Sequence, residues 1–364
     1  MCLKSQRHPV FCILPPHILR TIAERGTPEQ RASASRTLAL DTTLRALRAS
    51  PLSLEGPPTV AMAADAASKR RTIYTANDEQ QLPGAIVATE ANPPAANADI
   101  AVREAFVGLG ATWDFFSDVF DRRSIDDEGM ALDATVHYGH RYNNAFWNSR
   151  QMVFGDGDGQ LFNRFTIAVD VIGHELAHGV TEDEAGLVYM FQAGALNESI
   201  SDIFGSLIKQ RLLKQTAQQA DWLIGEGLFT AAVNGQALRS MKAPGTAYAD
   251  PVLGRDPQPD HMSKYVNTYN DSGGVHINSG IPNKAFHLAA AALGGYAWEK
   301  AGRIWYETLR DSALRPNTGF KRFAKLTVST AGRLYGQGSL EHEVVADAWE
   351  TVGLAVSAGV AVVG

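Results

Sequence analysis

The sequence predicts an α+β protein with a β-rich first half and an α-helical second half, behind a short helical N-terminal segment. Two patterns carry this. Between about residues 72 and 165, β-formers alternate or cluster between turn residues, as in "TIYTA", "GAIVATE", "ATVHYGHRY" and "QMVFGDGDGQLF". From about residue 166, apolar residues recur at helical spacing over 166–182, 197–215, 279–293, 297–314, 317–335 and 340–352. Two halves of different pattern predict a cleft between them.

Taken in order, "LPPHILRTIAERG" opens on Pro-Pro, continues with Ile18, Leu19 and Ile22, and stops at Gly26, which reads as a helix. "TPEQRASASRTLALDTTLRALRAS" places Leu38, Leu40, Leu44 and Leu47 at roughly helical spacing. "PLSLEGPPTVAMAADAASKRR" is rich in Pro, Ala and Ser without a firm period, and reads as a linker. Its basic triplet Lys69-Arg70-Arg71 reads as a solvated charge run, with a processing site as the alternative. Inside the strand-rich half, "ADIAVREAFVGLGATWDFFSDVF" predicts one helix.

Composition excludes several partners. The chain has 364 residues, 45% hydrophobic and 20% charged, with a net charge of −6. Nucleic acids and anionic membranes attract basic surfaces, so neither is expected as a partner. No apolar run reaches the length of a membrane span; "AFHLAAAALGGYAW" and "VGLAVSAGVAVVG" are too short or interrupted by Gly. The N-terminus lacks the continuous apolar stretch of a standard secretory signal. Cys2 and Cys12 are the two cysteines, so nothing beyond residue 12 depends on a disulfide. They are expected as free thiols, with a Cys2–Cys12 bridge as the alternative.

Chemistry concentrates in "GHELAHGVTEDEAGLVYMFQAGALNESISD", residues 173–202. His174 and His178 are four apart, on one face of a helix, so both imidazoles can reach one ion. Zinc binds imidazole at about 2.0–2.1 Å, and a catalytic site takes a third protein ligand and leaves one position for water. Glu175 lies beside His174 and suits a general base. A surface helix with two unremarkable histidines is the bland reading, but the flanks "FTIAVDVIG" and "ALNESISDIFGSLI" are apolar. Glu198 and Asp202 are also four apart. Glu198 suits the third ligand, and Asp202 suits the acceptor that fixes the tautomer of a ligand histidine.

These residues resemble the thermolysin family of zinc endopeptidases, in which HExxH is followed at this distance by N-E-x-x-S-D, here Asn197, Glu198, Ser201 and Asp202. Further matches are "NNAFWN" at 143–148, "GDGDG" at 155–159, "AGLVY" ending in Tyr189, "LRSM" with Arg239, and "DSGGVHINSGIPNKAF" with Asp271 and His276. The resemblance covers about 72–354. The segment "ILPPHILRTIAERG" is similar to the protealysin-type branch, whose members carry a short propeptide. It implies a propeptide at 1–55 acting in cis, a linker at 56–71, a β-rich catalytic half at 72–168, a helical catalytic half at 169–354 and a tail at 355–364.

The resemblance further implies one catalytic zinc held by His174, His178 and Glu198, with Glu175 as base and then acid. Tyr189 and His276 match the family's donors to the oxyanion, with Asp271 orienting His276. Asn144 and Ala145 match residues that pair with an extended peptide substrate, and Arg239 matches one that grips the following carbonyl. Phe162, Phe165, Val171 and Leu238, with Ile224 and Leu228, match a pocket for an apolar side chain on the amine side of the cleaved bond. Release from the cell is implied too, although no standard signal is visible, with a cytoplasmic precursor as the alternative. Calcium is doubtful: Asp170, Asp221 and Glu226 match a paired calcium site, but Lys209 and Leu223 stand where carboxylates belong. Cys12 raises the idea of a thiolate capping the zinc, against its reading as a small buried hydrophobe. The rival functions are a zinc exopeptidase and a catalytically silent zinc-binding regulator.

Overall fold

The computed structural model describes residues 11–49 and 68–356. Cys2, the 55/56 boundary, most of the linker and the chain from 357 lie outside the described residues. The chain forms two compact units.

The first unit comprises the chain up to Ala168 with Gly227–Val233 and Pro251–Gly254. Its elements are β1 (Phe11–Cys12), α1 (Pro16–Arg25), α2 (Pro28–Ala49), β2 (Arg71–Thr75), β3 (Ala85–Thr89), α3 (Ile100–Phe120), β4 (Leu132–Val136), β5 (Ala145–Trp147) and β6 (Gln151–Phe154). The sheet order is β1-β5-β6-β4-β2-β3, with β4 parallel to both β2 and β6 and the other pairs antiparallel. Pro16 opens α1, where its missing N–H leaves no bond unmade, and Gly26 closes it. Asp99 caps α3, accepting from the N–H groups of Ala101 and Val102 at 2.7 and 3.2 Å.

Three expectations change here. "ATVHYGHRY" yields strand only as far as Val136, because His137, Gly139 and Arg141 have positive φ and turn the chain away. Lys69, Arg70 and Arg71 are not a solvated run: Lys69 pairs with Asp114 at 2.8 Å, Arg70 donates to the Gly129 carbonyl at 2.6 Å, and Arg71 pairs with Glu90 at 2.6 Å. Residues 11–12, where no element was expected, form a strand.

That strand sits on "NNAFWN". Phe11 pairs with Trp147 and Cys12 with Phe146. The N–H of Ile13 donates to the Ala145 carbonyl at 3.2 Å, and that of Leu14 to Asn144 Oδ1 at 3.0 Å. On α2, the buried Asp41 accepts from Tyr142 Oη at 2.6 Å and from Asn144 Nδ2 at 2.8 Å. Asn143 donates from its backbone to Thr37 Oγ1 at 3.2 Å and from its side chain to Ser33 Oγ at 3.3 Å. β5 therefore lies inside the sheet, between β1 and β6, because the N-terminal segment supplies its neighbour. Cys12 is a buried thiol packed among Ala76, Tyr138, Tyr142, Phe146 and Val153, surroundings suited to a small apolar side chain.

The second unit holds Val169–Glu226, Asn234–Asp250 and the chain from Arg255. It contains α4 (Val169–Glu184), α5 (Phe191–Leu213), β7 (Leu223–Ile224), β8 (Arg239–Ser240), α6 (Asp271–Asn278), α7 (Gly280–Leu293), α8 (Ala301–Leu309), α9 (Phe320–Tyr335) and α10 (Leu340–Thr351). α5 is its central rod, buried without interruption from Ala193 to Gln210. It starts earlier than its apolar period suggests, at Phe191. α4, α6 and α7 pack on it, and α10 packs on α7 and α9. Trp305 and Trp349 stack 6.1 Å apart at the centre of that helical layer, with Trp349 Nε1 donating to Thr327 Oγ1 at 2.7 Å. Among the described residues no helix is long and apolar enough to cross a membrane.

Candidate active site

The site begins with how closely α4 and α5 approach. A Cβ on Gly173 would lie 2.7 Å from Ile208 Cδ1 and 3.2 Å from Gly205 Cα, and a Cβ on Gly205 would lie 2.3 Å from the Asp170 carbonyl oxygen. Gly205 cannot carry a side chain without parting the helices, and one at Gly173 requires Ile208 to turn aside and Gly205 to give way. The helix backbones touch, and this brings the His174 face of α4 against the Glu198 face of α5.

Ligand atoms of His174, His178 and Glu198 all lie within 4.8 Å of one another, and all three residues are buried. The two Nε2 atoms are 3.1 Å apart, and each stands 3.5 Å from a Glu198 carboxylate oxygen. Each Nδ1 faces the other way. That of His174 donates to Asp202 Oδ1 at 2.8 Å, and that of His178 to Asn197 Oδ1 at 2.6 Å, with Ser201 Oγ 3.0 Å away. With the protons placed on Nδ1 by these acceptors, both Nε2 lone pairs converge beside a carboxylate, an arrangement that repels itself unless a cation binds. Tetrahedral ligands about 2.0–2.1 Å from one zinc stand roughly 3.3 Å apart, so the donor set fits that ion. Burial, and His174 beside it, hold the His178 pKa well below its ordinary value, which keeps the ring neutral and able to ligate.

Asp202 anchors the far side. It accepts from Arg239 Nε at 2.9 Å and Nη2 at 2.8 Å, and from Asn283 Nδ2 at 2.8 Å. Burial alone would raise its pKa, but Arg239 and His174 outweigh this and hold it below the usual carboxylate range. Arg239, expected to grip a substrate carbonyl, is 1% exposed and makes a bidentate pair with Asp202.

Tyr189 Oη contacts Glu198 Oε1 and lies 3.2 Å from His276 Nε2. Four successive residues, Asp271 to Gly274, have positive φ, a tight curl that two glycines make affordable to the backbone. The curl turns Asp271 back on α6, where it takes His276 Nδ1 at 2.6 Å and the His276 N–H at 3.0 Å. Burial opposes protonation of His276, yet Asp271 and Glu198 prevail and its pKa is raised. Glu175 is fully buried on α4 next to His174.

The remaining expected residues divide between the units. In the first, Asn144 and Ala145 meet the N-terminal segment as described, and Phe162 and Phe165 are buried with ring centroids 6.0 Å apart. In the second, Val171 and Leu238 are buried, and the Leu238 N–H donates to the Ile224 carbonyl at 3.0 Å. The sequence reading missed Asn283, which no local pattern ties to Asp202, and the glycine pair. Gly173 and Gly205 each stand within three residues of a motif residue, a signal that gains meaning only once the helices are known to touch.

At the other end of α5, Lys209 Nζ sits among acids: 2.8 Å from Asp221, 3.1 Å from Glu226 and 3.6 Å from Asp170. Burial pushes the Asp170 carboxyl up to about 6 against the pull of Lys209. Lys209 itself stays charged, since the three carboxylates outweigh its own burial. Lys209→Met leaves these acids facing one another and is expected to lower stability by about 3 kcal/mol, measured by urea unfolding. Unchanged stability would show the ammonium to be incidental.

A β-sheet unit and a helical unit carrying a buried His-His-Glu cluster for a metal ion define a metal-dependent hydrolase. Residues 59–182 match the family described as "Thermolysin metallopeptidase, catalytic domain", and 185–354 the one described as "Thermolysin metallopeptidase, alpha-helical domain". The chain belongs to the thermolysin family of zinc metalloendopeptidases. It is 53% identical over 348 residues to "Extracellular metalloprotease" of Pectobacterium carotovorum subsp. carotovorum, covering 96% of this chain and 97% of that one. It is 54% identical over 288 residues to "Protease PrtS" of Photorhabdus sp. (strain Az29), covering 79% and 76%. Among solved structures it is similar to "Precursor of Protealysin, Metalloproteinase from Serratia proteamaculans", with TM-score 0.86 and 53% identity over 95% of this chain and 100% of that one.

Proposed function

We propose that the chain hydrolyses internal peptide bonds with one zinc ion held by His174, His178 and Glu198. The observation that carries this is the convergence of two Nε2 atoms and a carboxylate whose outer partners, Asp202 and Asn197, set both imidazole tautomers. When bound there, zinc supplies Lewis acidity to a carbonyl and lowers the pKa of water. Glu175 takes the proton of the attacking water and returns it to the leaving amine. Tyr189 Oη and His276 Nε2 donate to the oxyanion that develops on the scissile carbonyl, with Asp271 keeping His276 protonated. Asp202 orients His174, and Arg239, which pairs with Asp202 through Nε and Nη2 and holds it ionised, grips the carbonyl that follows the cleaved bond.

An extended peptide pairs along β5 through Asn144 and Ala145, the groups taken here by Ile13 and Leu14. The N-terminal segment, assigned to 1–55, is therefore an inhibitor in cis, followed by a linker to 71 and the catalytic halves 72–168 and 169–354. The buried apolar residues Phe162 and Phe165 of the first unit, and Val171 and Leu238 of the second, support a preference for an apolar residue on the amine side of the bond. Lys209 stands where a calcium pair would need a carboxylate, which argues against a calcium pair at Asp170, Asp221 and Glu226. A relative named as extracellular supports release from the cell.

The test uses the full-length chain with a peptide blocked at both ends and quenched internally. Cleavage on the amino side of Phe or Leu is expected to develop as the N-terminal segment is lost by mass, to stop on chelation and to return with zinc. A folded chain that binds no zinc, or that cleaves only peptides with a free end, overturns the proposal.

A further inference from the structure

Far from the ligand cluster, the end of α5 carries apolar surface that faces water. Leu212 is 46% exposed and Tyr296 38%. Single exposed apolar side chains are ordinary, whereas contiguous ones mark a binding surface. Here a shared cleft makes them contiguous. Arg211, Leu212, Lys214, Tyr296 and Trp298 line one surface depression of about 390 Å³, within the range of ligand clefts. Arg211 lies thirteen residues beyond Glu198 on α5, about 20 Å along the helix axis, so the cleft is separate from the metal ligands.

Both walls are held by backbone. On one side α5 ends at Lys214, whose φ of +55 turns the chain out of the helix and whose N–H donates to the Arg211 carbonyl at 3.1 Å. On the other, Gly294 and Gly295 have φ +68 and +65 and swing the chain out of α7 into 296–298. The N–H of Ala217 donates to the Gly295 carbonyl at 2.9 Å, which ties the two walls together. The Tyr296 and Trp298 rings stack with centroids 4.4 Å apart and planes 16° from parallel. Ala297 between them is buried and pins the pair to the core. The result is a flat aromatic wall beside a leucine and two cations.

The chemistry of this lining selects the occupant. Cations near a helix C-terminus complement its dipole, which accounts for Arg211 and Lys214 but not for the uncovered Leu212 or the aromatic pair. The polar ends of Arg211, Lys214 and Trp298 only donate hydrogen bonds, and none of the five residues is acidic. Such a lining suits a carboxylate next to an apolar side chain. Nucleic acid, the other common anion with flat apolar faces, is repelled by a net charge of −6. We propose that Arg211, Leu212, Lys214, Tyr296 and Trp298 form a second peptide-binding site, for an acidic segment that carries an aromatic or aliphatic side chain. The apolar side chain rests on Leu212 and the aromatic wall, and flanking carboxylates meet Arg211 and Lys214. The site holds its segment without cutting it. It is read by binding alone, and so does not depend on the peptidase reading.

The test titrates end-blocked Glu-Glu-Phe-Phe-Glu-Glu into the full-length Glu175→Gln chain by calorimetry, so that binding is read without turnover. Two counterparts carry Lys for Glu or Ser for Phe. The acidic aromatic peptide is expected to bind about tenfold more tightly than either counterpart, and to weaken as salt is added. Lys214→Gly removes one charge at a left-handed position that glycine suits, so the fold is kept. Tyr296→Ser removes one ring of the wall. Each, added to the Glu175→Gln chain, is expected to weaken the acidic peptide about tenfold. Equal binding of the Lys counterpart overturns the site, as does binding that both variants leave intact. Self-association that both variants abolish, with no peptide bound, gives the surface to a second copy of the chain and overturns it too. Maltohexaose binding that Tyr296→Ser abolishes, with no peptide bound, gives the wall to sugars and has the same effect.

Discussion

Glu175→Ala retains the metal of the folded chain and lowers peptide cleavage by about 100- to 10,000-fold, the range associated with one positioned acid–base group. The two effects separate because Glu175 is not among the three side chains whose ligand atoms converge. Zinc content by elemental analysis reads the first, and cleavage of the blocked peptide reads the second. Glu175→Gln is the better probe of chemistry alone, because it keeps the volume of a fully buried side chain and removes only the basic oxygen. A silent metal-binding protein needs no carboxylate here. Full turnover in either variant would therefore sink the mechanism, and loss of zinc from both would move Glu175 into the metal's own support.

Asp202→Ala is expected to be the most damaging substitution outside the ligands. It leaves the buried Arg239 guanidinium without its carboxylate, a class of change that costs about 3–5 kcal/mol. It also frees His174 Nδ1, and loss of such an outer partner weakens metal binding by about 10–100-fold. Asp202→Asn separates the contributions, since an amide oxygen still accepts from His174 but the charge facing Arg239 is gone. The pH dependence has a definite sign. The folded-state pKa of Asp202 is depressed, so its contribution is complete above the unfolded value of about 3.9 and is lost as pH falls through the lower folded value. The stability gap between wild type and Asp202→Asn, from urea unfolding, should be constant near neutrality and narrow below about pH 4. A gap independent of pH would mean that the charge of Asp202 contributes nothing.

Legibility followed the range of the interactions involved. His174 with His178, and Glu198 with Asp202, are each one helical turn apart, so periodicity alone puts each pair on one face. The order of the two halves was likewise visible, since burial on one side of a strand or helix imprints its own period. What escaped depends on distant contact. Nothing near Asn283 announces a hydrogen bond to a residue 81 positions away. Strand β1 is two residues long and exists because β5 accepts it. Arg239 carried the family's register but not its partner, and only the fold reveals that its Nε and Nη2 pair with Asp202. The end of β4 was missed for a local reason, three positive-φ residues within a stretch of otherwise good β-formers.

The contact between Gly173 and Gly205 has a consequence for how the ion would be lost. The gap between the two ligand-bearing helices is fixed by bare backbone, with no charge for salt to screen and no proton for acid to supply. What loosens it is expansion: heat or denaturant that swells the interior separates the imidazoles from the carboxylate before either helix melts. Departure of the metal should thus precede the collapse of secondary structure on warming, and a methyl group added at Gly205 should mimic that departure in the cold.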